Sequence, residues 1–150
     1  MAMKKIAIGV LIAGMACLAA ALGFGLVGAS AASQLEREIV IGKNGDGSCT
    51  VTTSPEIIQD AKKNDKITWH VTNNCDQAKT VSVGNFKHKE ENNQKKSVLD
   101  LDSFPQIPPG GSRDIGGKVK VLPQADYGTY KYDILIDGEV AEDPVLVING

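Results

Sequence analysis

The chain has 150 residues, enough for one domain, and a formal net charge of −2. All eighteen acidic residues and all but two of the sixteen basic ones lie beyond residue 32, so the body of the chain is mildly acidic. That balance argues against nucleic acid as a partner, because a basic stripe supplies most of such affinity, and no run of like charge is long enough to form an interaction tail.

The N-terminus carries Lys4 and Lys5, followed by an apolar run over residues 6–27 rich in Ala, Gly, Leu and Ile. Ala29-Ser30-Ala31 then places small residues at the spacing that signal peptidase reads, and Ser30-Ala31-Ala32 offers a second choice. Residues 1–32 are therefore expected to be an export signal. The apolar run is also long enough to span a bilayer, so an uncleaved membrane anchor over residues 6–27 stands beside that reading. Lys4 and Lys5 keep its start in the cytoplasm under either reading. Residues 36–150 are expected outside the cytoplasm, periplasmic or secreted, meeting a membrane only through the N-terminal segment. Cys17 lies within the apolar run, preceded by Gly14-Met15-Ala16 rather than by a Leu three positions earlier, and reads as a small residue in a hydrophobic segment.

From residue 36 the chain reads as strands and turns. A short strand is expected over 38–42, then a turn at Lys43-Asn44-Gly45-Asp46-Gly47, where Asn-Gly and Asp-Gly tolerate positive φ. Residues 49–53 are rich in β-formers. Residues 55–61 have room for one helical turn. Over 66–73 the alternation is clean, with Ile67, Trp69 and Val71 on one face and Thr68, His70 and Thr72 on the other. Alternation returns over 80–86 through Val81 and Val83, over 115–122 through Val119 and Val121, and over 130–136 through Tyr130, Tyr132, Ile134 and Ile136. Residues 144–148 close the chain with an apolar strand. Residues 87–97 contain no apolar side chain and are expected to form a solvated loop holding His88. Seven or eight short strands separated by turn chemistry predict an all-β sandwich, as one domain over residues 36–150.

Cys49 and Cys75 are the two cysteines of that domain. In an exported chain they are expected to form a structural disulfide. The rival, a two-Cys metal site, lacks the paired CxxC spacing and neighbouring His of zinc sites. Asp133, Asp137, Glu139, Glu142 and Asp143 suggest an oxygen-lined cation site, but without calcium-loop spacing they read as surface acids around the turn Asp137-Gly138. No Gly-x-Ser-x-Gly elbow or His-Glu-x-x-His motif is present. Two histidines and a paired thiol leave few actors for acid–base or nucleophilic chemistry. No catalytic residue is assigned. Trp69, Tyr127, Tyr130 and Tyr132 are expected in the core.

Three stretches, in this order, resemble the cupredoxin family, the sandwich of plastocyanin- and azurin-type blue-copper proteins. They are Lys63-Asn64-Asp65-Lys66-Ile67-Thr68-Trp69 with Val71-Thr72-Asn73-Asn74, then Ile107-Pro108-Pro109-Gly110-Gly111-Ser112, then Tyr127-Gly128-Thr129-Tyr130-Lys131-Tyr132. The resemblance spans residues 49 to 148 and implies a Greek-key sandwich of seven to eight strands. A blue-copper site takes two His, one Cys thiolate and a weak axial Met. The matching positions here carry Lys79 and Asp137 for the imidazoles, Ile134 for the thiolate, and Val140 or Glu142 for the thioether. An ammonium has no lone pair to give a metal, and the other side chains are no better matched. The expected protein is thus a non-enzymatic envelope component without copper or other cofactor, binding an unidentified protein or small ligand or serving structurally. The alternative is an atypical copper- or other metal-binding periplasmic protein, drawing on His70, His88 or the acidic stretch.

Overall fold

Alternating apolar and polar side chains build twelve strands in the residues that the computed structural model describes, 32–104 and 106–150. They are β1 (Gln34–Lys43), β2 (Cys49–Ser54), β3 (Ile57–Ala61), β4 (Lys66–Asn73), β5 (Lys79–His88) and β6 (Gln94–Lys95). After these come β7 (Leu99–Leu101), β8 (Gln106–Ile107), β9 (Ser112–Val119), β10 (Gly128–Ile136), β11 (Glu139–Glu142) and β12 (Val145–Ile148). Among the described residues one 3-10 turn, Gln124–Asp126, is the only helical element, and no helix is long and apolar enough to cross a membrane. The expected export signal or anchor falls outside the described residues, except for Ala32.

Two mixed sheets share one core. The first has the order β2-β1-β4-β9-β7; the second runs β3-β12-β10-β5-β6, with β11 added to β10 and β8 to β5. Pairings β1–β4 and β12–β3 are parallel. A parallel pair needs a crossover rather than a hairpin, and the chain from β1 to β4 makes it by way of β2 and then β3 in the other sheet. The first sheet turns Ile39, Ile41, Ile67, Trp69, Val71, Ile115 and Val119 inward; the second answers with Val81, Val83, Phe86, Tyr130, Tyr132, Ile134, Leu146 and Ile148. At the centre, Trp69 meets Tyr132 edge-on at 6.1 Å between ring centroids, and Phe86 stacks on Tyr132 at 5.3 Å. Trp69 Nε1 donates to the Tyr132 hydroxyl at 3.3 Å, so the buried indole is satisfied across the sheets.

Several boundaries differ from those expected, each for a local reason. Twelve strands replace seven or eight, because β6, β7, β8 and β11 have two to four residues and are too short to leave a pattern. Residues 55–61 form no helical turn: β3 pairs with β12 there. Asp60, at φ 59°, breaks the alternation, so Ile58 and Ala61 are both buried three positions apart and imitate helical spacing. β1 begins four residues earlier than expected, its alternation hidden by Glu36, Arg37 and Glu38. The chain leaves the sheet after Val119, and Val121 is 68% exposed rather than in line with the strand. Residues 87–97 are not a free loop. β5 continues through His88, turns at Asn92 and Asn93 with positive φ, and β6 pairs back, Lys87 opposite Lys95.

Candidate functional site

Asn73 organises the end of the sandwich where the resemblance sets a metal. It closes β4, is fully buried, and its Nδ2 donates to the carbonyls of Gln77 (2.8 Å) and Ile107 (3.0 Å). Its Oδ1 accepts from the Cys75 N–H at 3.0 Å, and its backbone bonds to Gly110 and Gly111. One amide thus ties the Asn-rich loop to the Pro-Pro-Gly-Gly turn. The Cys49–Cys75 disulfide is formed, fastening the same loop to β2 at the edge of the first sheet, as the pairing of the two cysteines predicts.

Beside this loop, β5 starts at Lys79 and β10 gives way to the turn Asp137-Gly138, whose φ values of 53° and 90° suit a short polar residue and a glycine. Lys79 Nζ lies 2.8 Å from Asp137 Oδ2, and the Thr80 N–H donates to Asp137 Oδ1 at 2.9 Å. The hydrogen bond from Lys79, and then that from the Thr80 backbone, hold the Asp137 carboxyl below its ordinary value. Ile134 is completely buried in the core and Val140 is 58% exposed. The positions matched to the two imidazoles, far apart in sequence, therefore touch, and they form an ion pair.

The other candidate ligands are dispersed. His70 lies on the outer face of the first sheet, its Nδ1 2.7 Å from Asp114 Oδ1 and its Nε2 3.9 Å from Glu36 Oε2. An open depression of about 400 Å³ is lined by Glu36, Arg37, Glu38, Ser54 and His70. His88, expected in a solvated loop, is instead 2% exposed. Its ring stands edge-on to Tyr130 at 4.8 Å and its Nε2 lies 3.3 Å from the Tyr127 carbonyl. Space for it exists because residue 128 is glycine: a Cβ there would come within 2.7 Å of the imidazole. Three acids of the acidic stretch are taken up by lysines and an amide. Asp133 pairs with Asn85 and Lys87, Asp137 with Lys79, and Asp143 with Lys131. Among the described residues no group of three or more His, Cys, Asp or Glu is placed to hold a metal ion.

Trp69, Tyr130 and Tyr132 are core residues as expected, and Tyr127 is partly buried against them. Burial and the neighbouring Asp126 carboxylate push the Tyr130 phenol up to about 12, and its hydroxyl donates to the Asp126 carbonyl at 2.5 Å. One polar residue escaped sequence reasoning. Arg37 is 1% exposed, in line with Ile39 and Ile41 on the inward face of β1, its guanidinium carbon 5.9 Å from the Tyr132 ring centroid. The signal was the series Leu35, Arg37, Ile39, Ile41, which shows only once β1 is begun at Gln34.

No protein-family model matches the chain, and no curated protein matches its sequence. Solved structures with partial likeness are multicopper oxidases. The enzyme from Pseudomonas Thermotolerans is 15% identical with a TM-score of 0.43, over 79% of this chain and 29% of its own. A mutant of the laccase from B.aclada is 21% identical with a TM-score of 0.45, over 79% and 23%. McoA from Aquifex aeolicus is 12% identical with a TM-score of 0.45, over 81% and 30%. The chain spans less than a third of each of these proteins, and likeness this loose carries neither their copper chemistry nor their substrates to it.

Proposed function

We propose that residues 36–150 are a cupredoxin-like sandwich without copper, a non-enzymatic binding or structural component of the bacterial cell envelope, exported by residues 1–32. The observation that carries this reading is the Lys79–Asp137 ion pair. The resemblance assigns both positions to one metal, and the fold sets them 2.8 Å apart. A cation and an anion now neutralise each other where two imidazoles would converge, and the buried hydrocarbon of Ile134 stands for the thiolate. Neither an ammonium nor an alkyl group is a ligand. In this reading the ion pair balances the charge of that end, and the Cys49–Cys75 bond holds the adjoining loop. The rival reading, an atypical metal site, draws on His70 and His88, which stand on the outer face of one sheet and in the interior of the sandwich.

The test is a copper titration of the exported, oxidised protein, following metal content and visible absorption together. The expected result is no stoichiometric binding and no blue band. One-to-one binding with intense visible absorption would overturn the reading and move the metal-binding alternative to first place.

A further inference from the structure

Arg37 presents an unbalanced set of groups. Its Nε and both terminal nitrogens are buried, and none has a hydrogen-bond partner. The Tyr132 hydroxyl, on the ring that Arg37 faces across the core, already accepts from Trp69. The guanidinium contributes five more N–H donors. This part of the interior is therefore rich in donors and poor in acceptors. An ionised group buried without a partner costs several kcal/mol, and burial, the largest influence on Arg37, pulls its pKa down against the opposing charges of Tyr132 and Glu56.

The Glu56 carboxylate is close enough for its charge to act on Arg37. β1 and β2 pair with Glu38 opposite Ser54, one residue along from Arg37. Pro55 and Glu56 then carry the chain from β2 in the first sheet to β3 in the second. The Glu56 carbonyl accepts from the Val145 N–H at 3.2 Å, which pins the crossing at the sheet edge, while the Glu56 side chain is exposed. We propose that the crossing segment is a strap: Glu56 folds inward over the open edge, its carboxylate takes the Arg37 guanidinium, and the closed pair latches the two sheets together between β1 and β3. A bidentate carboxylate matches the fork of the guanidinium, and the latch supplies the acceptors this interior lacks.

Nitrogen-15- and carbon-13-labelled full chain tests this directly. Through-hydrogen-bond couplings should join an Arg37 guanidinium nitrogen to the Glu56 carboxyl carbon, with the Arg37 Nε–H exchanging slowly. Coupling to another carboxylate, or an Nε–H that exchanges as fast as in free arginine, would overturn the proposal. A double-mutant cycle read by urea unfolding gives a second measure. Arg37→Met keeps the volume and removes the charge, so the fold is expected to survive it. Glu56→Gln should raise the unfolding equilibrium constant by about fivefold or more in the natural chain and leave it unchanged in the Arg37→Met background. Equal effects in both backgrounds would show that the two side chains do not meet.

Discussion

Lys79 and Asp137 lie far apart in sequence, yet Nζ and Oδ2 are 2.8 Å apart, and the Asp137 N–H returns a 2.8 Å bond to the Thr80 carbonyl. The pair fastens the first residue of β5 to the turn after β10. The Asp137 side chain is 46% exposed, so water and salt screen the interaction, and pairs of this kind contribute at most about 1 kcal/mol. The folded carboxyl is held below its ordinary 3.8. A depressed folded pKa gives stability that is complete above the unfolded value and is lost as pH falls through the folded one. Asp137→Asn should therefore lower the urea midpoint slightly at pH 6 and fall in with the natural protein at pH 2. A gap that stays equal at both pH values would contradict this account.

Asp65 is a second source of acid sensitivity. Burial, at 3% exposure, pushes its carboxyl up, but backbone N–H donors at Ser33 and Lys62, each 2.8 Å away, outweigh it and hold the pKa below 3.8. The sign is the same as for Asp137: the contribution is present above about pH 4 and fades below it. Asp65→Asn keeps the shape but replaces one acceptor oxygen with a donor, leaving a buried N–H unmatched at a cost of about 1–3 kcal/mol. Unfolding curves from pH 7 to pH 2 should show the two proteins converging as acid protonates the natural one.

The Cys49–Cys75 bond closes a loop with a sequence separation of 26, which in the chain-entropy model stabilises by about 3 kcal/mol. It links the edge strand β2 to the loop organised by Asn73, so its loss frees both. Reduced protein, or the double variant Cys49→Ser with Cys75→Ser, should melt several degrees below the oxidised protein. An unchanged melting temperature would mean that Asn73 and the surrounding hydrogen bonds hold the loop unaided.

The strands with strong alternation were legible because burial there follows the two-residue period. Ile67, Trp69 and Val71 all reached the core as expected, and so did Tyr130, Tyr132 and Ile134. β3 was not legible, because Asp60 bends it out of that period and its partner β12 lies almost ninety positions along the chain. His88 was misplaced because its neighbours Lys87 and Lys89 are charged, and nothing local says that its own side chain turns inward against Gly128. The two positions of the ion pair came from the resemblance alone. Their contact depends on the pairing of β5 with β10, a long-range event that no short pattern encodes. Arg37 was hidden in the same way, a charge at an inward position among charged neighbours.

Gly117 shows how tightly the centre of the core is specified. It lies in β9 opposite Ile67, and a Cβ placed on it would come within 2.9 Å of Leu101 Cδ2 and 3.1 Å of Trp69 Cζ3. Leu101 is half-buried at the short edge strand β7 and can give way. Trp69 cannot, since it is fully buried, edge-on to Tyr132, and held by its Nε1 bond to the Tyr132 hydroxyl. Overpacking of this kind costs about 1–3 kcal/mol. Gly117→Ala should therefore be destabilising although alanine suits a strand better than glycine does. Tyr132→Phe should remove the acceptor that holds the indole, at about 1–3 kcal/mol for the unmatched Nε1–H. In that background Trp69 is free to tilt, so the cost of Gly117→Ala should shrink. Urea unfolding of the two single variants and the double variant measures this directly. Strictly additive losses would show that the indole is fixed by the apolar packing around it and not by its hydrogen bond across the sheets.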